Sequence, residues 1–215
     1  AHRAGSMTVA LRDMASTSAA AAGPVFARPA GTMSTLVTTL ASALEQRGVA
    51  INTGTEVSTP APNIPTVITT PARVTAALLD ACSPRSAALL RNIDVASVVF
   101  TALAFDPADV PIPLDASGFL VPRDAGLSVT AVSWSSAKWE QLSHGPVIVR
   151  ASLGHAGDDG SIDLSDDEVL ARIRADLLTT MGISAAPIEY RITRYRDAFP
   201  QYAVGHLDRI DELEA

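Results

Sequence analysis

The sequence is poor in basic residues, in sulfur and in long apolar runs. Lysine and arginine number 16 against 23 aspartates and glutamates, a net charge of −7, so no basic patch can neutralise the phosphates of a nucleic acid. The single cysteine, Cys82, excludes an internal disulfide. No apolar run approaches the ~18 to 20 residues of a spanning helix, and no charged segment followed by an apolar one opens the chain. We expect a cytoplasmic protein with no nucleic-acid partner and no spanning membrane segment.

Several motifs of catalysis and cofactor binding are also missing. No serine stands in a G-x-S-x-G turn, and His144, His155 and His206 lack the spacing of a metal site. The aspartates between positions 158 and 167 lack the glycine and glutamate positions of a calcium loop. The G-x-G-x-x-G turn that binds dinucleotide phosphates is absent. The sequence therefore predicts no metal site and no catalytic side chain.

The apolar content, 47% of the residues, is enough for the core of one large domain or two small ones. Ser165 and Glu168 form a capping box, and Gly182 follows the helix that this box begins. Gly48 is placed in the same way after an earlier helix. Apolar residues at helical spacing predict helices from Thr32 or Ser34 to Arg47, from Val74 to Ala81, from Ser165 to Met181 and from His206 to Leu213.

Runs rich in β-branched and apolar residues predict the strands. The uncharged run Ser97–Phe105 is expected to be buried on both faces. Together the patterns predict an α+β fold, with a mixed or antiparallel sheet of about five or six strands and helices on one face. The predicted strands are Val49–Val57, Thr66–Thr70, Ser97–Phe105, Leu127–Trp134, Val147–Leu153 and Ala186–Tyr195.

The segment Ser117–Trp139, SGFLVPRDAGLSVTAVSWSSAKW, places clustered aromatic and cationic side chains around a predicted hairpin. Phe119 to Val121 is a short apolar run, and Asp124 to Gly126 is a turn signal. Taken alone, the pattern favours two strands of an ordinary sheet, because aromatic residues in strands usually belong to the core.

The same segment resembles the flavin-dependent porphyrinogen oxidases of haem synthesis, the bacterial protoporphyrinogen and coproporphyrinogen III oxidases. Several motifs in a fixed order are more specific than any one of them. Four further stretches agree with this family in the expected order: Gly23–Leu44, Thr66–Leu79, Val149–Asp159 and Ile192–Ile210.

The resemblance implies that the whole protein transfers hydride from coproporphyrinogen III or protoporphyrinogen IX to FAD and releases hydrogen peroxide. The hard chemistry then belongs to the cofactor, and the protein supplies apolar walls and cations for the propionates. By resemblance, Phe119 and Leu120 lie near the macrocycle, Tyr195 lies beside the flavin and Val57 contacts its adenine. Further candidate walls are Trp134 and Trp139, and the candidate carboxylate partners are Arg123, Lys138, Arg150, Arg191 and Arg194.

The chain departs from this family at several points, one of which is Tyr195, where relatives usually have tryptophan. Ala30-Gly31-Thr32-Met33 keeps only part of a glycine-glycine-methionine motif, and the short segment Ser58–Asn63 stands where the family has a hairpin. The missing G-x-G-x-x-G turn makes the chain look like a middle-to-late fragment, inactive alone, that carries the substrate-binding domain of a two-domain flavoprotein. The expected division is 1–22 as the end of a helical region, 23–80 as helix and strands partly of the FAD domain, 81–195 as the substrate-binding domain, and 196–215 as a return toward the FAD domain.

Two alternatives remain at this point. Another flavoprotein of the amine-oxidase-like superfamily, a carotenoid desaturase or an amine oxidase, would share the flavin segments but not FLVP or WSSAKW. A non-catalytic module that binds tetrapyrroles would explain the absent nucleotide motif. For the leading interpretation, the expected partners are the porphyrinogen substrate, a second copy in a homodimer and a ferrochelatase-type downstream enzyme.

Overall fold

The computed structural model describes residues 27–158 and 160–214 of the chain. The helical region expected over residues 1–22 lies outside them, as does Asp159. The chain divides into two compact units, with the boundary between Glu56 and Val57. The four-part division inferred from the sequence stays a prediction.

The described part of the first unit contains one helix, α1 (Met33–Glu45). Its prediction is confirmed, and Gly48 adopts a φ of +82°. The amide of Gly48 donates to Glu45 O (2.9 Å), and the amide of Val49 donates to Leu44 O (3.1 Å). This pair of bonds is the Schellman motif, which satisfies the last carbonyls of a helix.

The strand predictions for Val49–Val57 and Thr66–Thr70 are wrong. Both segments lack regular structure, and no strand in the described part of the chain pairs with them. Valine and threonine favour extended backbone, but a strand is stabilised by its ladder and by packing against neighbours. Without those contacts Val57 is 61% exposed and Val67 is 89% exposed.

Two short helices open the described structure of the second unit: α2 (Ala72–Leu79) and α3 (Pro84–Arg91). Helix α2 begins two residues before its predicted start, whereas α3 was not predicted. Pro84 occupies the first turn of α3, where the missing N–H costs nothing. The two helices pack together and each buries one alanine, Ala76 and Ala87.

Five strands form one antiparallel sheet, which confirms the predicted α+β class. In chain order they are β1 (Val95–Phe105), β2 (Gly118–Leu120), β3 (Val129–Trp134), β4 (Val147–Leu153) and β5 (Glu189–Pro200). Across the sheet the order is β2-β3-β4-β1-β5. The remaining helices are α4 (Ser135–Lys138), α5 (Asp166–Met181) and α6 (His206–Glu214).

Helix α5 covers one face of the sheet, and its prediction is confirmed. Ser165 Oγ accepts from the Glu168 amide, and Glu168 Oε2 accepts from the Ser165 amide; Gly182 ends the helix with a φ of +68°. The buried core between α5 and the sheet consists mainly of valine, leucine and isoleucine, among them Val99, Leu103, Val149, Leu153, Val169, Ile173 and Leu177. None of the described helices is long and apolar enough to cross a bilayer.

Strand β1 corrects the expectation of burial on both faces. Val99, Leu103 and Phe105 are at most 1% exposed, whereas Phe100, Ala102 and Ala104 between them are only half-buried. The alternation arises because successive side chains point to opposite faces and α5 covers only one of them. The absence of charge in β1 therefore does not indicate two buried faces.

Strand β5 bulges opposite Ser97. Ala96 pairs with Phe199 and Val98 pairs with Tyr195, so three residues of β5 oppose one residue of β1. Asp197 at the centre of the bulge has a φ of +49°, and its amide donates to Ser97 Oγ at 3.0 Å. Bulges bend a strand and redirect its side chains.

Candidate functional site

The face of the sheet turned away from α5 is only partly covered by the described chain, and we call it the open face. It mixes small, aromatic and charged side chains, unlike the face beneath α5, which is mainly apolar. Residues paired directly across strands lie on the same face, so the register identifies its members. They include Leu120 of β2, Phe100, Ala102 and Ala104 of β1, Ile148 and Arg150 of β4, and Glu189, Arg191, Thr193 and Tyr195 of β5.

One row of the open face places a small residue between two cations. Ala102 pairs with Arg150 on β4 and with Arg191 on β5. Both arginines are exposed, although β4 is an inner strand. An exposed charge on an inner strand shows that no described residue covers this part of the face.

An aromatic cluster lies beside this row. The ring of Phe100 meets Tyr195 edge-on with the centroids 5.7 Å apart, and it meets Phe199 in a tilted arrangement at 6.1 Å. The guanidinium carbon of Arg150 lies 5.5 Å from the centroid of the Phe100 ring, within the range of a cation–π contact. The cluster forms an apolar shelf with a cation held over it.

A shallow groove of about 210 Å³ adjoins the row. Ala102 and Ala104 form its floor, and the side chains of Ile148, Glu189 and Arg191 line its sides. The groove exists because alanine is small and its neighbours across the strands are large. Its lining combines an apolar floor with one cation and one anion.

The remaining arginines of β5 have partners on the other side of the sheet. Arg194 donates to Asp166 Oδ1 and Arg196 donates to Asp163 Oδ1, both at 2.6 Å. Within the described ranges no carboxylate pairs with Arg150 or Arg191. The two arginines of the open face therefore differ from Arg194 and Arg196 in having no carboxylate partner among the described residues.

The structure separates the site residues predicted from the sequence. Leu120, 83% exposed, and Tyr195, 44% exposed, lie on the open face at opposite edges of the sheet. Phe119 and Trp134 lie on the α5 face, where their rings are 6.2 Å apart. Trp134 is 5% exposed, and its Nε1 donates to Ala116 O. Their roles toward a substrate stay predictions.

The other three predicted residues lie outside the sheet. Arg123 is in the turn that follows β2, and Lys138 ends α4. Val57 lies in an irregular segment and is 61% exposed. Their assigned contacts also stay predictions.

Sequence reasoning missed Phe100, Ala102 and Ala104. Their signal was the alternation in Ser97–Phe105, in which phenylalanine and then alanine occupy every second position. The uncharged composition concealed that pattern, because valine, leucine and alanine are all apolar.

Comparison with known proteins defines the family. Residues 66–215, more than half of the chain, match the flavin containing amine oxidoreductases. The chain belongs to this family. The resemblance seen in the sequence motifs is thereby confirmed at the family level, and the fold described here is that of a flavin containing amine oxidoreductase segment.

Within the family, the chain is similar in sequence to coproporphyrinogen III oxidases. The chain is 33% identical over 148 residues to the coproporphyrinogen III oxidase of Bacillus subtilis, which covers 68% of this chain and 31% of the relative. The corresponding enzyme of Mycobacterium bovis is 37% identical over 149 residues, 69% of this chain and 32% of the relative. The chain spans just under one third of the length of these curated relatives.

A solved structure agrees with the sequence comparison. A protein of Exiguobacterium sp. 255-15 that is assigned as a protoporphyrinogen oxidase matches with a TM-score of 0.58 and 31% identity. The match covers 67% of this chain and 31% of that protein.

Proposed function

We propose that this chain is part of an FAD-dependent oxidase of haem biosynthesis that converts coproporphyrinogen III to the porphyrin. One observation carries the proposal: the chain is 33–37% identical to coproporphyrinogen III oxidases over about two thirds of its length. The apolar shelf and exposed arginines of the open face are what a flat macrocycle with propionate side chains requires. Protoporphyrinogen IX is the second candidate substrate, because a protein assigned as a protoporphyrinogen oxidase has a similar fold.

The residues of this chain fit a flavin in part. Tyr195 and Phe199, on the β5 side of the shelf, offer aromatic surface to the planar ring system of a flavin, which leaves Phe100 to the macrocycle. No G-x-G-x-x-G turn for the pyrophosphate occurs in the sequence. We therefore assign contacts with the flavin ring and the adenine to this chain, with Tyr195 and Val57 as the respective candidates, and no phosphate contacts.

When bound, FAD supplies the acceptor for the hydride that leaves the porphyrinogen carbon, and oxygen then gives hydrogen peroxide. The part of the protein described here supplies binding and orientation. Phe100 and Leu120 offer apolar surface to the macrocycle, and the half-buried floor at Ala102 allows a close approach. No side chain of the chain is assigned a proton-transfer role.

The test is oxidation of coproporphyrinogen III and of protoporphyrinogen IX in air, measured as porphyrin fluorescence and as hydrogen peroxide. The protein encoded by the complete reading frame is compared with this chain alone. We expect porphyrin formation by the former and none by the latter. Oxidation of an amine or a carotene precursor in place of either porphyrinogen would replace the proposal with another activity of the same family.

Three further expectations belong to the whole protein and stay predictions. They are a homodimer, a ferrochelatase-type enzyme as the downstream partner, and a cytoplasmic location. Light scattering, co-purification and cell fractionation test them in turn.

A further inference from the structure

Arg150 and Arg191 stand on either side of Ala102 on the open face. Two strand spacings separate their Cα atoms, about 10 Å. Salt largely screens the repulsion between exposed charges at this separation. The two long side chains can therefore reach the same edge of a ligand that lies over Ala102.

The surroundings of the two arginines differ from those of their neighbours along β5. Arg194 and Arg196 are held by Asp166 and Asp163 on the α5 side of the sheet. Neither Arg150 nor Arg191 makes a side-chain hydrogen bond to any residue of the described ranges. Arg150 instead lies over the Phe100 ring, which leaves its N–H groups available to a ligand.

The size of the groove limits what can enter it. Ligand pockets that enclose a whole drug-sized molecule measure about 300–1,000 Å³, whereas this groove measures about 210 Å³. It can seat one edge of a macrocycle on Ala102 and Ala104 while the rest of the ring lies over the Phe100 shelf. An edge that carries carboxylates would bring them to the two arginines.

We infer that Arg150 and Arg191 form a carboxylate clamp that binds the propionates along one edge of the tetrapyrrole. The inference rests on the proposed function and deepens it. It states that the open face distinguishes tetrapyrroles by the number of carboxylates they carry. Each guanidinium can bind a carboxylate through two parallel N–H donors. A tetrapyrrole with four propionates then binds more tightly than one with two, and an esterified one binds weakly.

Glu189 should have the opposite effect to the two arginines on the affinity for propionates. It lies two positions from Arg191 on the same face and lines the groove, yet the two side chains form no ion pair. An anion so close to the propionate site repels the ligand. Removing its charge should therefore strengthen binding while removing either arginine weakens it.

The experiment is titration of the protein encoded by the complete reading frame with coproporphyrin III, protoporphyrin IX and coproporphyrin tetramethyl ester, followed by quenching of tryptophan fluorescence. Arg150→Gln and Arg191→Gln should each raise the Kd for coproporphyrin III about three- to tenfold. Glu189→Gln should lower it. Arg196→Gln is the matched control, because it lies on the same strand but pairs with Asp163, and it should leave the Kd unchanged.

The outcomes separate the clamp from the proposed function. If the wild-type protein binds coproporphyrin III and both arginine variants bind it equally well, the clamp is overturned and the proposed function stands. If the folded protein encoded by the complete reading frame binds neither porphyrin, the proposed function fails and the clamp fails with it. Binding of the ester as tight as that of the free acid would also overturn the clamp.

Arg150 also contacts Phe100, so its replacement could weaken binding by disturbing the fold. Thermal unfolding of each variant distinguishes this effect from the loss of a ligand contact. Arg150→Lys keeps the charge and loses the paired donors, so it should bind with intermediate affinity. If an arginine variant fails to fold, Glu189→Gln and the salt dependence of wild-type binding still decide the matter. Added salt should weaken coproporphyrin III binding and leave ester binding unchanged.

Discussion

Asp176 on α5 accepts a 2.8 Å hydrogen bond from the backbone amide of Val129 at the start of β3. The same carboxylate oxygen accepts a second bond of 2.8 Å from the amide of Ser128. Asp176 is 8% exposed and Val129 is 1% exposed, so the carboxylate satisfies backbone donors that water reaches poorly. This contact fixes the position of α5 along the sheet.

Replacing Asp176 by alanine should destabilise the protein by about 2–4 kcal/mol, because two amides would lose their acceptor in a buried setting. Urea denaturation followed by circular dichroism measures the loss. Asp167→Ala, on the exposed first turn of the same helix, should change stability by less than about 0.5 kcal/mol. Equal losses in the two variants would show that the amides find other partners.

The capping box of α5 should make stability depend on pH. Hydrogen bonds from the Ser165 side chain and amide hold the pKa of the Glu168 carboxyl below its usual value, which is about 4.3 in model peptides. A lowered folded-state pKa stabilises the protein above the unfolded-state pKa, and that contribution is lost as the pH falls through the folded-state pKa. Glu168→Gln should therefore be less stable than wild type at pH 7 and equal to it in strong acid. Denaturation at a series of pH values provides the measurement, and a constant difference would contradict the prediction.

Two glycines allow the cost of a strained backbone conformation to be separated from the cost of a steric clash. Gly154 and Gly157 have φ values of +92° and +84°. A Cβ on Gly154 would lie 2.6 Å from Ser97 O, whereas one on Gly157 would meet nothing within 4 Å. Gly157→Ala should cost about 1 kcal/mol from the backbone conformation alone, and Gly154→Ala should cost at least about 2 kcal/mol. Similar midpoints of thermal unfolding would mean that β1 moves to accommodate the methyl group.

Filling the groove should affect ligand binding more than folding. The leucine side chain of Ala102→Leu would fill the groove between Arg150 and Arg191. The macrocycle edge could then no longer enter the groove, so coproporphyrin III binding should weaken about tenfold. Ala175→Leu, on the exposed surface of α5, is the control for added apolar bulk. Wild-type affinity in Ala102→Leu would place the ligand elsewhere on the protein.

Phe119 and Leu120 are adjacent in sequence but should respond differently to mutation. Phe119→Ala removes a ring that packs against Trp134 and should cost about 2–3 kcal/mol of stability, below the range for a fully buried phenylalanine. Leu120 is 83% exposed, so Leu120→Ser should leave stability nearly unchanged and weaken porphyrin binding if this residue contacts the macrocycle. A loss of stability without a loss of affinity in Leu120→Ser would remove it from the site.

Local signals were enough to predict α5 and β4. The capping box, the helical spacing and Gly182 all lie within one stretch, and Val147–Leu153 has the same bounds in sequence and structure. The segment Val49–Val57 has an equally strong pattern but no strand beside it in the described chain. A strand needs a neighbouring strand to pair with, and the sequence of one segment does not identify that neighbour.

The open face could not be assembled from the sequence for a related reason. Arg150, Ala102 and Arg191 are separated by about 40 to 90 positions along the chain, and only the register of β4, β1 and β5 places them in one row. The arginines were recognised as candidate carboxylate partners by their chemistry. Their grouping, and the separation of Arg194 from them, required the pairing of the strands.

The bulge of β5 contains an even number of extra residues. Two more residues are present in β5 than in β1 between the pairs Ala96–Phe199 and Val98–Tyr195, so the side-chain alternation continues in phase and both aromatic rings reach Phe100. Deleting one residue here would send Phe199 to the opposite side of the strand, whereas deleting two would preserve its side. Length variation at this point should therefore be tolerated in steps of two, and a single-residue deletion should dismantle the aromatic shelf.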